Sequence, residues 1–156
     1  IQYSAGEQQV ILNGKNVNDF IRTETVSEMS SKISAIPEVR EKLLSLQRSL
    51  AVAENVIMDG RDIGTHVLPN ADVKIFLTAD AHVRAVRRYE EFIAKGVSCT
   101  LENVEREVIE RDERDMNRAI APLKQAEDAV RVDTSAMTIE EVVCYLKNLI
   151  GQAVAR

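Results

Sequence analysis

The sequence predicts an α/β domain built on a parallel sheet flanked by helices. Three observations predict it. Short apolar runs recur at Val56-Ile57-Met58, Val73-Lys74-Ile75-Phe76-Leu77 and Ala129-Val130-Arg131-Val132. Each is rich in β-branched residues and closes on a polar or small residue, as buried parallel strands do. Between and after them the apolar period changes to that of helices, and strand–helix alternation implies parallel pairing. The third is composition: 156 residues, 45% apolar and 29% charged, suffice for one domain with a core and do not suit a disordered chain.

Taken in order, the first element is a small β excursion. Val10-Ile11-Leu12 and Lys15-Asn16-Val17 flank Asn13-Gly14, a hairpin turn signal. From about Thr25, the positions Val26, Met29 and Ile33 predict a short helix, and Pro37 suits the first turn of another. Val39, Leu43, Leu46 and Leu50 make one apolar stripe on that second helix, which needs a partner surface. A helix is expected from near Asp80 to before Gly96. Another follows Thr100, with Leu101, Val104 and Val108 on one face. The last begins at Thr138, where Glu141 completes a capping box, and runs through Val142, Leu146 and Leu149 to Gly151.

Net charge is −5, which argues against general nucleic-acid affinity, and no apolar run approaches a membrane span. The N-terminal residues Ile1-Gln2-Tyr3-Ser4 carry neither the basic region nor the apolar core of a signal peptide. Cys99 and Cys144 lie outside any CxxC pair, and two histidines cannot complete a usual zinc set. A cytoplasmic protein with reduced thiols and no protein-held metal is expected. Arg outnumbers Lys by 13 to 7, and seven of the arginines fall between residues 84 and 118. The planar guanidinium fork suits phosphate, so small phosphorylated ligands are expected.

Two constellations could carry chemistry. Asp59-Gly60-Arg61-Asp62-Ile63-Gly64-Thr65 stands at the carboxyl end of an expected strand, where open α/β sheets bind ligands. Gly60 and Gly64 would allow close backbone approach, Arg61 could hold a phosphate, and Asp59 or Asp62 could accept hydrogen bonds or bind a metal's water shell. A turn with an internal Arg–Asp pair fits the same residues. In Glu110–Arg118 a helical period puts Arg111, Arg114 and Arg118 on one face with Asp115 beside them. That run equally fits a solvated charged helix, or a flap closing over a phosphate ligand. Ser31 and Arg40 could read a base edge, or be a surface hydroxyl and a surface charge. Arg84, Arg87 and Arg88 read as a surface salt-bridged with Glu90 and Glu91, and His66 and His82 as incidental.

In combination, these residues resemble bacterial cytidylate kinases. The resemblance rests on Asp59 through Thr65 with Leu68 through Leu77, and on Arg111 through Ala119 with Ala121-Pro122-Leu123. Ile21-Arg22-Thr23 and Pro37 through Arg40 also fit, and the likeness covers nearly the whole chain. It implies a P-loop nucleoside monophosphate kinase fold, with a small antiparallel β insert and a helical lid. Residues 1–35 would belong to the monophosphate-binding insert and 36–156 to the core, with the lid at about 105–122. The implied reaction transfers phosphate from ATP, with Mg²⁺, to CMP or dCMP, in a protein that is a monomer at full length. Ser31, Arg40 and Asp62 would read cytosine. Arg61 and Arg118 would hold the CMP phosphate, and Arg111 and Asp115 would contact the sugar–phosphate region. Arg61, Arg111 and Arg118 would be catalytic, Arg114 would serve ATP, and Asp59 is a further candidate for organising Mg²⁺ through water. A kinase for another monophosphate and a non-catalytic nucleotide-binding module are the alternatives.

The resemblance has one gap. The family carries GxxxxGK[ST], a loop whose backbone amides cradle ATP phosphates, and no such segment occurs in these 156 residues. The expectation is a chain incomplete at its N-terminus, with an exposed strand edge and no activity in isolation.

Overall fold

The computed structural model describes residues 2–21 and 23–154, so Ile1 and Arg22, both named above, lie outside the described residues. Two compact units divide the chain, residues 1–47 and 48–156.

The first unit opens with two hairpins, β1 (Gln2–Ser4) with β2 (Glu7–Gln9) and β3 (Ile11–Leu12) with β4 (Lys15–Asn16), both antiparallel. The β3–β4 turn is the one expected. Asn13 and Gly14 take φ of 51° and 78°, the pair of positive values that matches a two-residue turn to strand twist. The β1–β2 turn uses Ala5 and Gly6 at 53° and 82°. Ala5 gives no sequence warning of a left-handed backbone, which is why this hairpin was not anticipated. A single turn α1 (Asn18–Ile21) precedes α2 (Glu24–Ile33), where Thr23 Oγ1 accepts from the Val26 amide at 3.4 Å. Then α3 (Pro37–Ala53) begins at its proline, as expected. No residue of α3 is fully buried: Leu43, Leu46 and Leu50 are each about half exposed, at 46%, 50% and 59%.

The second unit holds the parallel sheet. β5 (Ile75–Thr78) pairs in parallel with β6 (Val130–Asp133), with Ile75 opposite Val130 and Thr78 opposite Asp133. The expected strand at Val56–Met58 does not form. Those residues carry no ladder pairing, and Ile57 is 93% exposed. An extended segment becomes a strand only when a neighbour takes its backbone groups, and none does so among the described residues.

Between the two strands, α4 (Ala81–Ala94) and α5 (Leu101–Asn117) form a helical hairpin around Ala85, Val104 and Val108. Tyr89, Phe92, Cys99 and Leu101 pack on that core. Local signals set its limits. The Asp80 carboxylate accepts from the His82 and Val83 amides, and Thr100 Oγ1 accepts from the Asn103 amide. Gly96, at φ 72°, closes α4: its amide donates to Ile93 O and that of Val97 to Phe92 O, the two-bond glycine stop. Finally, α6 (Ile139–Val154) starts with the expected reciprocal cap, the Thr138 amide donating to Glu141 Oε2 at 2.8 Å and the Glu141 amide to Thr138 Oγ1 at 3.2 Å. The expected stop at Gly151 is corrected, because the helix continues through it to Val154. No backbone change accompanies this glycine, whose φ is not positive.

At the open end of the α4–α5 hairpin, His82 Nδ1 lies 3.0 Å from Glu105 Oε2. The hydrogen bond and the charge of Glu105 raise the imidazole above the ordinary histidine range, with Asp80 adding to the effect. A raised folded-state value means that the pair stabilises at low pH and loses this contribution as pH rises through the His82 titration. NMR titration is expected to find His82 titrating above an unperturbed histidine, and Glu105→Gln is expected to return it to the ordinary value.

Candidate functional site

The turn after residue 58 and the C-terminal part of α5 meet through charge. Arg61 Nε donates to Asp115 Oδ2 at 3.1 Å. Arg111 Nε lies 3.9 Å from the same oxygen, and Arg118 Nη1 lies 4.0 Å from Asp115 Oδ1. Arg118 also presents Nη2 to Asp62 Oδ1 at 3.3 Å. Five residues expected to bind ligand therefore form one cluster: Arg61, Asp62, Arg111, Asp115 and Arg118. The helical period explains half of this, since positions 111 and 115 are four apart on α5. Arg118 joins at the end of the helix, where the backbone turns extended, at φ −66° and ψ 142°.

Two further contacts hold that corner. Arg118 Nε donates to Ala121 O at 2.7 Å, and the Leu123 amide donates to Asp115 O at 2.8 Å. Ala121 adopts φ 48°, a left-handed backbone uncommon outside glycine. Nothing in the sequence marked Ala121 for this role. On the other side, Asp62 leads into a π-helical turn, Ile63–Val67. Arg48, from the same unit, fixes this turn by donating to His66 O at 2.8 Å and Val67 O at 3.0 Å. The glycines of this segment meet protein side chains: a Cβ on Gly60 would stand 2.9 Å from the Ile63 side chain, and one on Gly64 would stand 3.4 Å from Lys74 Cδ. Lys74 is itself pinned by Asp128, at 2.8 and 2.6 Å, and by Pro69 O.

The site is rich in cations. Arg61, Arg111 and Arg118 gather around Asp115, and the Asp115, Asp62 and Arg118 side chains are only 8%, 13% and 13% exposed. Arg111 feels both burial and its neighbours' charge. Burial, then the neighbouring charge of Arg61, lowers its pKa, with Arg88 adding to the depression and Asp115 and Asp112 opposing it. The buried Arg118 Nη2 makes no hydrogen bond within the protein. Its contact with Asp62 is therefore an ion pair without hydrogen-bond geometry. Guanidinium forks gathered in this way are chemically suited to an anion.

The other expected residues lie elsewhere. Arg114 is exposed and joins no ion pair of the cluster. Asp59 is also exposed. Ser31 and Arg40 belong to the first unit, where Ser34 connects them: Ser34 Oγ donates to Ser31 O at 2.9 Å, and Arg40 Nη1 donates to Ser34 O at 3.0 Å. The expected salt bridges of the α4 arginines with Glu90 and Glu91 are corrected. Arg84 pairs instead with Asp112 on α5 at 2.6 Å, Arg87 donates to Thr134 O at 2.7 Å and more weakly to Met137 O, and Arg88 stacks 5.1 Å over the Phe92 ring. Glu91 pairs with Lys95 on its own helix, one turn away. Sequence spacing shows neighbours along one helix but not the second helix packed against it. Among the described residues no three His, Cys, Asp or Glu side chains gather to hold a metal ion, and no helix is long and apolar enough to cross a membrane.

Comparison with known proteins gives this cluster a family. The cytidylate kinase family model matches residues 1–152. The chain belongs to the cytidylate kinase family. Among similar curated proteins, a cytidylate kinase of Carboxydothermus hydrogenoformans is 53% identical over 145 residues, 93% of this chain and 65% of the relative. A cytidylate kinase of Ligilactobacillus salivarius is 51% identical over 146 residues, covering 94% and 65%, and one of Lactobacillus gasseri is 48% identical over 145 residues, covering 93% and 63%. The chain thus spans just under two thirds of the length of these relatives. Membership in this family of P-loop nucleoside monophosphate kinases agrees with the parallel β5–β6 pair, its interleaved helices and the small antiparallel hairpins.

Removing the shared carboxylate should leave the arginines repelling one another. Asp115→Asn is expected to destabilise the protein by about 3 kcal/mol, because three guanidinium groups lose the acid they share. Added inorganic phosphate should return part of the loss, visible as a larger phosphate-induced rise in melting temperature for the variant than for the parent protein.

Proposed function

We propose that the protein phosphorylates CMP or dCMP with ATP, and that the Arg61–Arg111–Arg118 cluster receives the monophosphate. The observation that carries this reading is the gathering of three guanidinium forks, those of Arg61, Arg111 and Arg118, around the Asp115 carboxylate. Family membership supplies the reaction class. Arg61 and Arg118 bind the acceptor phosphate, and Arg111 spreads positive charge toward the phosphoryl group in transfer. Phosphoryl transfer between two anions needs positioning and charge neutralisation more than covalent catalysis. No general base is required, since the acceptor phosphate is already a nucleophile. Asp115 keeps the three forks in register until a ligand competes for them.

Ser31, Arg40 and Asp62 are assigned to the cytosine, whose exocyclic amino group needs an acceptor such as the Asp62 carboxylate. Residues 1–35 are assigned to the monophosphate-binding insert, 36–156 to the core, and about 105–122 to the lid, with Arg114 toward ATP. Mg²⁺ is best accommodated on nucleotide phosphates and water. Asp59, a single exposed carboxylate, suits contact through that water shell. The protein is read as a cytoplasmic monomer.

Two measurements test this. In the protein as its gene encodes it, calorimetry should show saturable CMP binding and much weaker UMP binding. Arg118→Ala should weaken CMP on the order of a hundredfold while leaving cytidine binding little changed. Equal loss of CMP and cytidine would show that Arg118 does not act on the phosphate. These 156 residues contain no GxxxxGK[ST] segment. The purified 156-residue chain, given CMP, ATP and Mg²⁺, is therefore expected to form no CDP, and CDP formation would overturn that part of the reading.

A further inference from the structure

The arginine forks around Asp115 have a further carboxylate close by on α5. That carboxylate is Asp112, adjacent to Arg111. Its side chain is 19% exposed, and its field reaches Arg111. Left without a cation of its own, it would add negative charge beside Arg111 and oppose an incoming anion.

Arg84 prevents this. Its Nη2 lies 2.6 Å from Asp112 Oδ2, and its Nε donates at 2.9 Å to Ala79 O. Ala79 is buried and immediately follows β5 at the carboxyl end of the parallel pair. One guanidinium therefore neutralises Asp112 and ties the Arg111 turn of α5 to the end of the sheet. The guanidinium makes the two bonds from different nitrogens, which fixes its orientation as well as its charge. Neighbours of Asp112 share this arrangement: Arg88, one turn after Arg84 on α4, also bears on Arg111, and its ring contact with Phe92 leaves Asp112 to Arg84.

We propose that Arg84 is a positioning residue of the phosphate site: it sequesters Asp112, so that the fork of Arg111 stays oriented toward the acceptor phosphate and its positive potential is not offset by a neighbouring carboxylate. This rests on the proposed CMP site. It touches neither ligand nor reacting atoms, and it acts through Asp112.

The test is a charge-rescue cycle in the protein as its gene encodes it. Arg84→Met keeps the stem and removes the charge, and is expected to weaken CMP binding about tenfold. Arg84→Met/Asp112→Asn removes the orphaned carboxylate as well, and is expected to restore CMP affinity to within about twofold. A purely structural role for Arg84 predicts no rescue, because the double variant still lacks the bond to Ala79 and has lost the ion pair. A second readout needs no nucleotide. The Arg111 Nε–H resonance of the unliganded protein should shift in Arg84→Met and return in the double variant. Wild-type affinity in Arg84→Met, a double variant as weak as the single one, or an unmoved Arg111 resonance would each overturn the proposal. Should the parent protein fail to bind CMP while the Arg111 resonance shifts and returns as stated, the fault lies with the assigned substrate and not with the Arg84–Asp112–Arg111 coupling.

Discussion

A single carboxylate, that of Asp115, stands between three guanidinium groups drawn from two segments far apart in sequence. A buried acid with one partner is a poor source of stability, because dehydration costs about as much as the pairing returns. Here one acid serves Arg61, Arg111 and Arg118, and Asp62 also meets the last of them. On the proposed reading the arrangement is a device for holding forks in place and surrendering them, rather than a staple of the fold. The α4–α5 core of Ala85, Val104 and Val108 is what makes the device rigid, since it fixes the helix on which Asp115 and Arg111 stand.

Much of this was legible in sequence, for identifiable reasons. Turn and cap chemistry is local, so Asn13-Gly14, Pro37, Asp80, Thr100 and the Thr138–Glu141 box could each be read from a few adjacent residues. The spacing of Arg111 and Asp115 is likewise a property of one helix. What sequence could not show were relations across elements. The meeting of Arg61 with Asp115 depends on tertiary placement, and it was the family resemblance, not the spacing, that grouped them. The α4 arginines were assigned to glutamates on their own helix because the period shows only those. Arg84 and Arg87 instead cross to α5 and to the loop after β6.

The failures are equally physical. Val56-Ile57-Met58 has the composition of a strand, yet strand formation is decided by a neighbour's backbone and not by side chains alone. Gly151 looked like a stop, but glycine ends a helix only where the chain takes a left-handed turn, as Gly96 does at φ 72°. Arg114 shows the limit of a periodic argument. It shares the broad face of Arg111 and Arg118, but its side chain stays exposed.

Charge accounting around α5 links these observations. The run Arg111-Asp112-Glu113-Arg114-Asp115 holds two arginines and three acids, and so is net negative along the sequence. In space its charges separate by partner: Asp115 goes to the arginine cluster, Asp112 to Arg84, and Arg114 to water. A net negative segment and an arginine-rich cluster are therefore compatible, because the fold pairs one of the acids with a cation from α4. A run of mixed charge that would ordinarily be read as a solvated helix face can in this way contribute to the proposed anion site. The sorting is set by which residues α4 presents to α5, a fact of packing that no property of the run itself encodes.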